Sequence, residues 1–235
     1  MLRSFPEARI PRAILVPSQG ERGMNDKGKS TLEVFRDARA LLEDTHVVLK
    51  SGRHSASYVN KDALFADTTA MLTLCSVLAH EFETTEVDVV VAPAIGGTIL
   101  SFLVAVMLGS AQGKRIFSAY AEKDGDKFVI RRGFDDIIAD NPRVLVVEDV
   151  LTTGASLRKV VDAVRELDGV VTLAGALWNR GGVTKEMIGV QRLVSLSNIQ
   201  FDSWSAEECP LCAQGVPVNI NVGHGTAFLA ARHHT

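Results

Sequence analysis

The sequence predicts an α/β protein built on a doubly wound, mainly parallel β-sheet. Two short and almost wholly apolar runs, residues 87–92 and 144–147, are typical of strands buried on both faces of such a sheet. Segments with the 3.6-residue apolar spacing of amphipathic helices lie between the strand candidates. Because strands and helices alternate, we expect ligands to bind at the carboxyl ends of the strands.

The N-terminal third is expected to begin with a helix and a pair of short strands. Ser30 and Glu33 have the spacing of a capping box, so a helix should begin at Ser30 and reach about residue 43. Residues 47–49 and 58–59 are expected to be strands around a turn at 51–55. Asp67 can cap the next helix, whose apolar stripe is Met71, Leu74, Cys75, Leu78 and Phe82.

The remainder of the chain alternates regularly. The expected strands are 87–92, 116–121, 127–130, 144–147 and 170–177, and the expected helices are 98–108 and 157–167. The polar residues 124–126 should form a turn between two of these strands. The second helix carries an apolar stripe at Leu157, Val160, Val161, Val164 and Leu167.

Residues 1–29 differ in composition from the rest. They contain three of the seven prolines and a stretch rich in Gly, Ser, Gln and Asn at 18–28. We expect them to form a disordered extension, with Met24 as an alternative start of the chain. Residues 30–235 are expected to form a single domain.

Composition limits the classes of partner. A net charge of −3 argues against nucleic-acid binding driven by the overall charge of the protein, so an anionic ligand must be held by local groups. Three cysteines, an odd and low number, indicate a reducing compartment, and a cytoplasmic location is expected. The apolar run 98–108 is about half the ~20 residues that a membrane-spanning helix needs, so no membrane association is expected.

Residues 144–156 carry the strongest chemical signal. An apolar strand leads into the adjacent acids Glu148 and Asp149, and Gly154 allows a tight turn close to a ligand. Hydroxyl groups are supplied by Thr152, Thr153 and Ser156. Exposed amides at the start of the following helix would bind a phosphate, while the two acids suit sugar hydroxyls or a Mg²⁺-linked ribose.

This segment resembles the ribose-phosphate signature of the type I phosphoribosyltransferases. Further stretches resemble the orotate phosphoribosyltransferase branch of that family, over residues 49–217. These stretches are 49–55 with Tyr58 and Asn60, 92–97 as a pyrophosphate loop, 120–134 as a mobile loop, and 176–182 as the strand end that meets the base. The resemblance implies the fold of that family, with a small hood built from residues 45–65 and 192–222.

The resemblance also implies an activity. The protein would transfer the ribose 5-phosphate of 5-phosphoribosyl pyrophosphate to orotate, giving orotidine 5′-phosphate and pyrophosphate, a step of pyrimidine biosynthesis. Its partners would be these small molecules, with no nucleic acid. Mg²⁺ would be the cofactor, held through the substrate, with Asp149 as the one candidate protein ligand. A homodimer is expected, in which the mobile-loop lysine can reach the neighbouring site.

The resemblance assigns the site residue by residue. Catalytic roles fall to Lys123, Glu148 and Asp149. Phosphoribosyl pyrophosphate would contact Ala94, Ile95, Gly96, Gly97, Lys123, Glu148, Asp149, Val150, Leu151, Thr152, Thr153, Gly154, Ala155 and Ser156. Orotate would contact Lys50, Tyr58, Thr152 and Arg180. No nucleophilic serine or cysteine is required.

The chain departs from the family pattern in its loops. The mobile-loop region has Lys123 and Lys127 but no histidine, Glu122 stands where basic residues are common, and the pyrophosphate loop lacks a lysine. Trp178 and Asn179 precede Arg180, where an acid is common. The base therefore stays open between orotate and a purine or other base, and a non-catalytic sensor of phosphoribosyl pyrophosphate is a further alternative.

Two other motifs carry rival interpretations. Residues 23–30 match the P-loop pattern, but polar residues separate them from the nearest apolar run. Cys209 and Cys212 form half a zinc site, with His224 as the nearest extra ligand in the sequence. His46, His54 and His80 are expected in packing or surface roles.

Overall fold

The computed structural model describes residues 30–140 and 142–232. Its strands are β1 (Leu41–Leu42), β2 (Val47–Val48), β3 (His54–Ser55), β4 (Tyr58–Val59), β5 (Val89–Pro93), β6 (Phe117–Asp124), β7 (Lys127–Val129), β8 (Arg143–Leu151), β9 (Val170–Asn179) and β10 (Arg192–Ser197). Its helices are α1 (Thr31–Asp37), α2 (Lys61–Ala66), α3 (Thr68–His80), α4 (Gly96–Gln112), α5 (Phe134–Ile138), α6 (Ala155–Arg165), α7 (Lys185–Ile188), α8 (Pro210–Ala213) and α9 (Gly225–Arg232). The expected extension at 1–29 and the alternative start at Met24 lie outside the described residues.

A six-stranded sheet in the order β10-β9-β8-β5-β6-β7 forms the centre of the molecule. The strands from β10 to β6 are parallel, and β7 pairs antiparallel with β6. The short pairs β1–β4 and β2–β3 form separate two-stranded sheets. This arrangement confirms the expected α/β class with a mainly parallel sheet.

Helices cover both faces of the sheet. Leu145 and Val147 of β8 belong to a core cluster that includes buried residues of α1, α3 and α4. Val144 and Val146 point to the other face and join a cluster with residues of α6. Because successive side chains of a strand alternate, the fully apolar run in β8 is buried on both sides.

The expected amphipathic helices are confirmed. The five apolar stripe residues from Met71 to Phe82, in α3 and the turn that follows it, are all buried. The Asp67 side chain caps α3 by accepting hydrogen bonds from the amides of Thr69 and Ala70. In α6 the stripe residues are buried except for Leu167, which is half-buried after the helix end. The capping box of Ser30 and Glu33 is also present.

Several element boundaries differ from those expected. Helix α1 ends at Asp37 rather than near residue 43, because Arg39 takes φ 54° and the chain turns into β1, which pairs with β4. Helix α4 spans Gly96–Gln112 and is longer at both ends than the expected 98–108. Its C-cap residue is Gly113, with φ 65°. Strand β8 continues four residues beyond Val147 to Leu151, because β9 pairs with it along that stretch.

The N- and C-terminal segments pack together beside the central sheet. His54 in β3 pairs with Trp204, the Asn219 amide donates to the carbonyl of His46 at 2.7 Å, and the His224 amide donates to Val48 at 2.8 Å. Residues 192–197, which the sequence assigned to the hood, instead form β10 at the edge of the central sheet. The contacts with residues 45–55 therefore come from the chain after β10. In the described ranges we find no helix with the length and apolarity needed to cross a bilayer.

Candidate functional site

The two adjacent acids lie inside β8, close to its carboxyl end. Glu148 is in register with Ala176 of β9, and the strand continues to Leu151. Their side chains therefore leave opposite faces of the sheet, Glu148 towards α6 and Asp149 towards α2 and α4. The sequence had placed both acids in a loop facing one ligand; the strand separates their surroundings.

Asp149 is buried, with 6% of its surface exposed, and lies under the N-terminus of α4. Its Oδ2 atom is 3.4 Å from the Lys61 ammonium nitrogen, so the buried carboxylate has a cation beside it. Gly96 covers the same oxygen: a Cβ atom at this position would come within 2.9 Å of Asp149 Oδ2. A glycine at residue 96 is therefore needed for the loop after β5 to lie against the acid.

Glu148 has a raised pKa. Its desolvation by burial, with a smaller contribution from the neighbouring charge of Asp149, raises the pKa of the carboxyl from 4.5 to about 8. Lys61 and a hydrogen bond from the backbone amide of Leu157 act in the opposite direction. This shift favours the protonated form of Glu148, which lies beside the N-terminus of α6.

The loop between β8 and α6 turns at Gly154, where φ is 73°. A Cβ atom at Gly154 would lie 2.7 Å from both Val183 Cγ1 and Ile188 Cδ1, so this residue is restricted to glycine by its backbone and by packing. Thr152 and Thr153 are exposed on the loop. Gly154, the N-cap residue of α6, has no side chain that could cap the helix. In the first turn, the amide of Ala155 donates to Thr153 Oγ1 at 3.4 Å and the amide of Leu157 donates to Glu148.

A second loop lies at the end of β5. The amide of Ala94 donates to the carbonyl of Ala121 at 2.8 Å, which fixes the loop to β6. The peptide bond between Ala94 and Ile95 is cis, and the Ile95 side chain is 89% exposed. Helix α4 begins at Gly96 without a side-chain hydrogen bond from its described N-cap residue, Ile95. Its first amides therefore also face the carboxyl edge of the sheet.

A third loop follows β9 and carries Arg180. Leu151 and Asn179 are in register, so the next residues, Thr152 and Arg180, are neighbours. The Arg180 Nε atom donates to Thr152 Oγ1 at 3.0 Å, which brings together the two residues that the sequence assigned to the base. Gly181 packs under this pair, because a Cβ atom there would overlap the carbonyl oxygen of Thr152.

Asn179 shapes the loop that follows Arg180. The buried Asn179 amide nitrogen donates to the carbonyl of Val183 at 2.8 Å, and its oxygen accepts from the Val183 amide at 2.9 Å. Trp178 is fully buried, donates its indole N–H to Ile199 and packs edge-to-face on Phe35. The buried side chains of Trp178 and Asn179 therefore stabilise the loop that carries Arg180.

The region expected as a mobile loop contains a hairpin of β6 and β7. Lys123 is exposed in β6, two residues past the Pro93–Ala121 pair at the end of β5. Glu122 forms an ion pair with Arg132 at 3.0 Å, and Asp124 forms one with Arg131. Glu122 and Asp124 are therefore each paired with one of the two arginines that follow β7.

The other expected residues lie on the short strand pairs. Lys50 is exposed in the turn between β2 and β3, and Tyr58 is half-buried in β4, in register with Leu42. Ser30, the described residue of the P-loop pattern, is the N-cap of α1; the rest of that pattern lies outside the described residues.

Sequence reasoning missed Lys61 and Asn179. Lys61 follows directly on Asn60, the last residue of the N-terminal stretch that resembled the family, but nothing in the sequence paired it with an acid 88 positions later. Asn179 was seen only as an unusual neighbour of Arg180. A buried asparagine shortly before a Gly–Gly pair can indicate a turn held by its side chain, since the side-chain amide can hydrogen-bond both an N–H and a C=O group of the backbone.

Comparison with known proteins agrees with this geometry. The orotate phosphoribosyltransferase of Caldicellulosiruptor bescii is 37% identical over 80% of this chain and 93% of its own length. That of Thermus thermophilus is 38% identical over 80% of this chain and 97% of its own. The crystal structure of orotate phosphoribosyltransferase from Aeropyrum pernix has a TM-score of 0.53 and 27% identity, covering 70% of this chain and 91% of that one.

No protein-family model matches the chain. The assignment depends instead on the curated relatives, which match along nearly their whole length, and on a sheet whose three neighbouring strand ends carry the expected loops. The chain belongs to the orotate phosphoribosyltransferase family.

Proposed function

We propose that this protein transfers the ribose 5-phosphate of 5-phosphoribosyl pyrophosphate to orotate, releasing pyrophosphate, as a step of pyrimidine biosynthesis. The Arg180–Thr152 hydrogen bond carries the proposal, because it joins the base-side arginine to the loop proposed to bind the sugar phosphate. A cytoplasmic reaction is in keeping with three cysteines that form no disulfide in the described chain.

The 5-phosphate is proposed to bind the loop from Thr152 to Ser156. Its hydroxyls are proposed to donate to the phosphate, and the positive end of the helix dipole of α6 faces the same loop. Glu148 and Asp149 are proposed to contact the ribose hydroxyls from either side of β8. A protonated Glu148 removes one negative charge from the neighbourhood of the incoming phosphates.

Pyrophosphate is proposed to leave along the loop from Ala94 to Gly97. Bond breaking at the anomeric carbon leaves positive charge on the ribose and adds negative charge to the leaving group, so preorganised donors stabilise the transition state. The first amides of α4 are such donors, and Lys123 on the β6–β7 hairpin is proposed to supply the cation.

The donor set at Asp149 fits Mg²⁺, which prefers carboxylate and phosphate oxygens. Asp149 presents Oδ2 beneath Gly96, at the edge where the pyrophosphate is proposed to lie, and would hold the ion together with the substrate. When bound, Mg²⁺ neutralises charge on the pyrophosphate. Lys61 holds the carboxylate in place in the free protein.

Orotate is an anion and needs charged or amide donors. Arg180 is half-buried at the site, while Lys50 and Tyr58 lie on the hairpin region before α2. Each charge-assisted hydrogen bond to its carboxylate would contribute about 1.5–3 kcal/mol.

The base specificity can be measured directly. With phosphoribosyl pyrophosphate and Mg²⁺, we expect a nucleotide product from orotate and none from uracil, xanthine, hypoxanthine or adenine, because Arg180 favours a base that carries a carboxylate. Separation of the nucleotides by chromatography is the measurement. Product from a purine alone, or binding of the activated sugar without turnover of any base, would contradict the proposed function.

Two substitutions test the proposed site residues. Asp149→Asn and Arg180→Ala should each lower kcat/KM for orotate by about 10-fold or more, since a charge-assisted contact is lost in each. Asp162→Asn and Arg192→Ala, which alter surface ion pairs with Arg158 and Glu81, serve as matched controls and should stay near wild type. Near wild-type kinetics in both site variants would exclude the assignment.

The pKa of Glu148 predicts a dependence of stability on pH. Between pH 4.5 and about 8 the folded protein keeps a proton that the unfolded chain has lost, so the free energy of unfolding falls as the pH rises through this window. The slope from one proton is at most about 1.4 kcal/mol per pH unit.

Glu148→Gln stays neutral at every pH and should lose this slope. Urea denaturation of both proteins between about pH 5 and 9 gives the difference in their free energies of unfolding. The titrations that the two proteins share cancel in this difference. The variant should gain stability relative to wild type as the pH rises. A constant difference would show that Glu148 titrates alike in the folded and unfolded states.

We also propose a homodimer. The exposed residues Ile95, Ile99 and Phe102, with exposures of 89%, 48% and 59%, follow one another at helical spacing at the start of α4. Such an apolar stripe beside the active edge suits a second copy of the chain, whose Lys123 hairpin would then approach the neighbouring site.

The dimer can be tested by sedimentation equilibrium. Wild type should have the mass of two chains, and Phe102→Asp should shift it to one, because a charge would be buried in the interface. Phe117→Asp, at a 39% exposed residue of β6, is the control and should leave the mass unchanged. A monomeric wild type would refute the proposal.

A further inference from the structure

Four metal-binding side chains meet away from the proposed active edge. His46 precedes β2, His54 lies in β3, Cys209 is the N-cap of α8 and Cys212 lies within α8. One nitrogen or sulfur atom of each lies within 4.8 Å of every other. Three of the four residues are buried, with at most 2% of their surface exposed, and Cys212 is half-buried.

The separations between donor atoms approach those of a tetrahedral zinc site. Zinc bonds of about 2.3 Å to sulfur and about 2.05 Å to nitrogen place N and S about 3.6 Å apart, and two N atoms about 3.3 Å apart. His46 Nε2 is 3.6 Å from Cys209 Sγ and 3.7 Å from Cys212 Sγ. His54 Nδ1 is 3.4 Å from Cys212 Sγ and 2.8 Å from His46 Nε2.

The tautomer of His46 suits a ligand. Its Nδ1 atom is 2.7 Å from the carbonyl oxygen of Val216, which can only accept, so Nδ1 carries the proton. The Nε2 lone pair is then directed at the other three donor atoms. A backbone carbonyl that fixes the second ring nitrogen in this way is the usual support of a metal-binding histidine.

The sequence had given a different picture of these residues. His224 was the nearest extra ligand in the chain, and His46 and His54 were expected in packing or surface roles. Both rings are buried, in keeping with a packing role, and the pairing of β2 with β3 also brings them next to Cys209 and Cys212, which the sequence did not indicate. His80 is half-buried at the end of α3, and its Nδ1 atom lies within hydrogen-bonding distance of Glu83 Oε2 at 2.9 Å.

We propose that His46, His54, Cys209 and Cys212 bind one structural Zn²⁺ ion. Two thiolates and two imidazoles suit zinc rather than the oxygen-seeking Mg²⁺. Four protein ligands close the coordination sphere, which is the form of a structural site and not of a catalytic one. Binding releases the two thiol protons to solvent, and the neutral imidazoles bring no further proton change.

The site would join two parts of the chain that are far apart in sequence. His46 and His54 flank the turn that carries Lys50, and the cysteines lie in the C-terminal segment that starts after β10. Backbone bonds already link these parts through Trp204 and Asn219. The ion would fasten the β2–β3 hairpin to the C-terminal segment independently of substrate.

Metal content is the direct test. The full-length protein, reduced, exposed to zinc and freed of excess ion by gel filtration, should contain one zinc per chain by elemental analysis. Cys209→Ser and Cys212→Ser should lose most of it. Cys75→Ala, at a buried cysteine of α3, and His224→Asn are matched controls that should keep the wild-type stoichiometry.

Absorption spectra and thermal denaturation of the wild-type protein test the proposal even if a cysteine variant does not fold. Wild type loaded with Co²⁺ should show the visible bands of a tetrahedral ion and the near-ultraviolet band of thiolate ligation. Chelator treatment should lower the Tm of wild type, and zinc should restore it.

Two results would overturn the proposal. One is a folded, reduced wild-type protein that retains no zinc and gives no tetrahedral cobalt spectrum. The other is zinc that remains at wild-type level in folded Cys209→Ser and Cys212→Ser.

Discussion

The parallel pairing of β5, β8 and β9 is the constraint on which the rest of the site depends. Parallel strands end at one edge, so the loops after Pro93, Leu151 and Asn179 meet there. The register of Leu151 with Asn179 places Thr152 beside Arg180, and their hydrogen bond follows from it. Without this register, the residues assigned to sugar phosphate and base would not share a site.

Burial in the sheet also sets the electrostatics of the two acids. Both lie near the carboxyl end of a strand that is apolar on both faces, but each meets a different neighbour. Asp149 has the Lys61 ammonium group beside it, whereas desolvation is the largest influence on Glu148 and raises its pKa. The two acids that border the proposed phosphate loops therefore have different electrostatic surroundings.

Glycines and one asparagine let these loops approach each other. Gly96 lies against Asp149, and Gly181 lies against the carbonyl of Thr152, so a side chain at either would displace the backbone. Asn179 satisfies both backbone groups of Val183 and holds the intervening turn. The proposed zinc site would likewise hold the β2–β3 hairpin in place, because these two short strands form few backbone hydrogen bonds with each other.

The sequence by itself determined the α/β class, the buried strands, the amphipathic helices and the glycine-hydroxyl loop, because these depend on local periodicity and on residues adjacent in the chain. Only the tertiary structure decided where β8 ends, since its last residues are held by pairing with β9. The partnership of Lys61 with Asp149, and the meeting of His46 and His54 with the cysteine pair, also depend on contacts between distant segments. Such contacts leave no periodic signal in one sequence, because packing brings the partners together rather than their spacing along the chain.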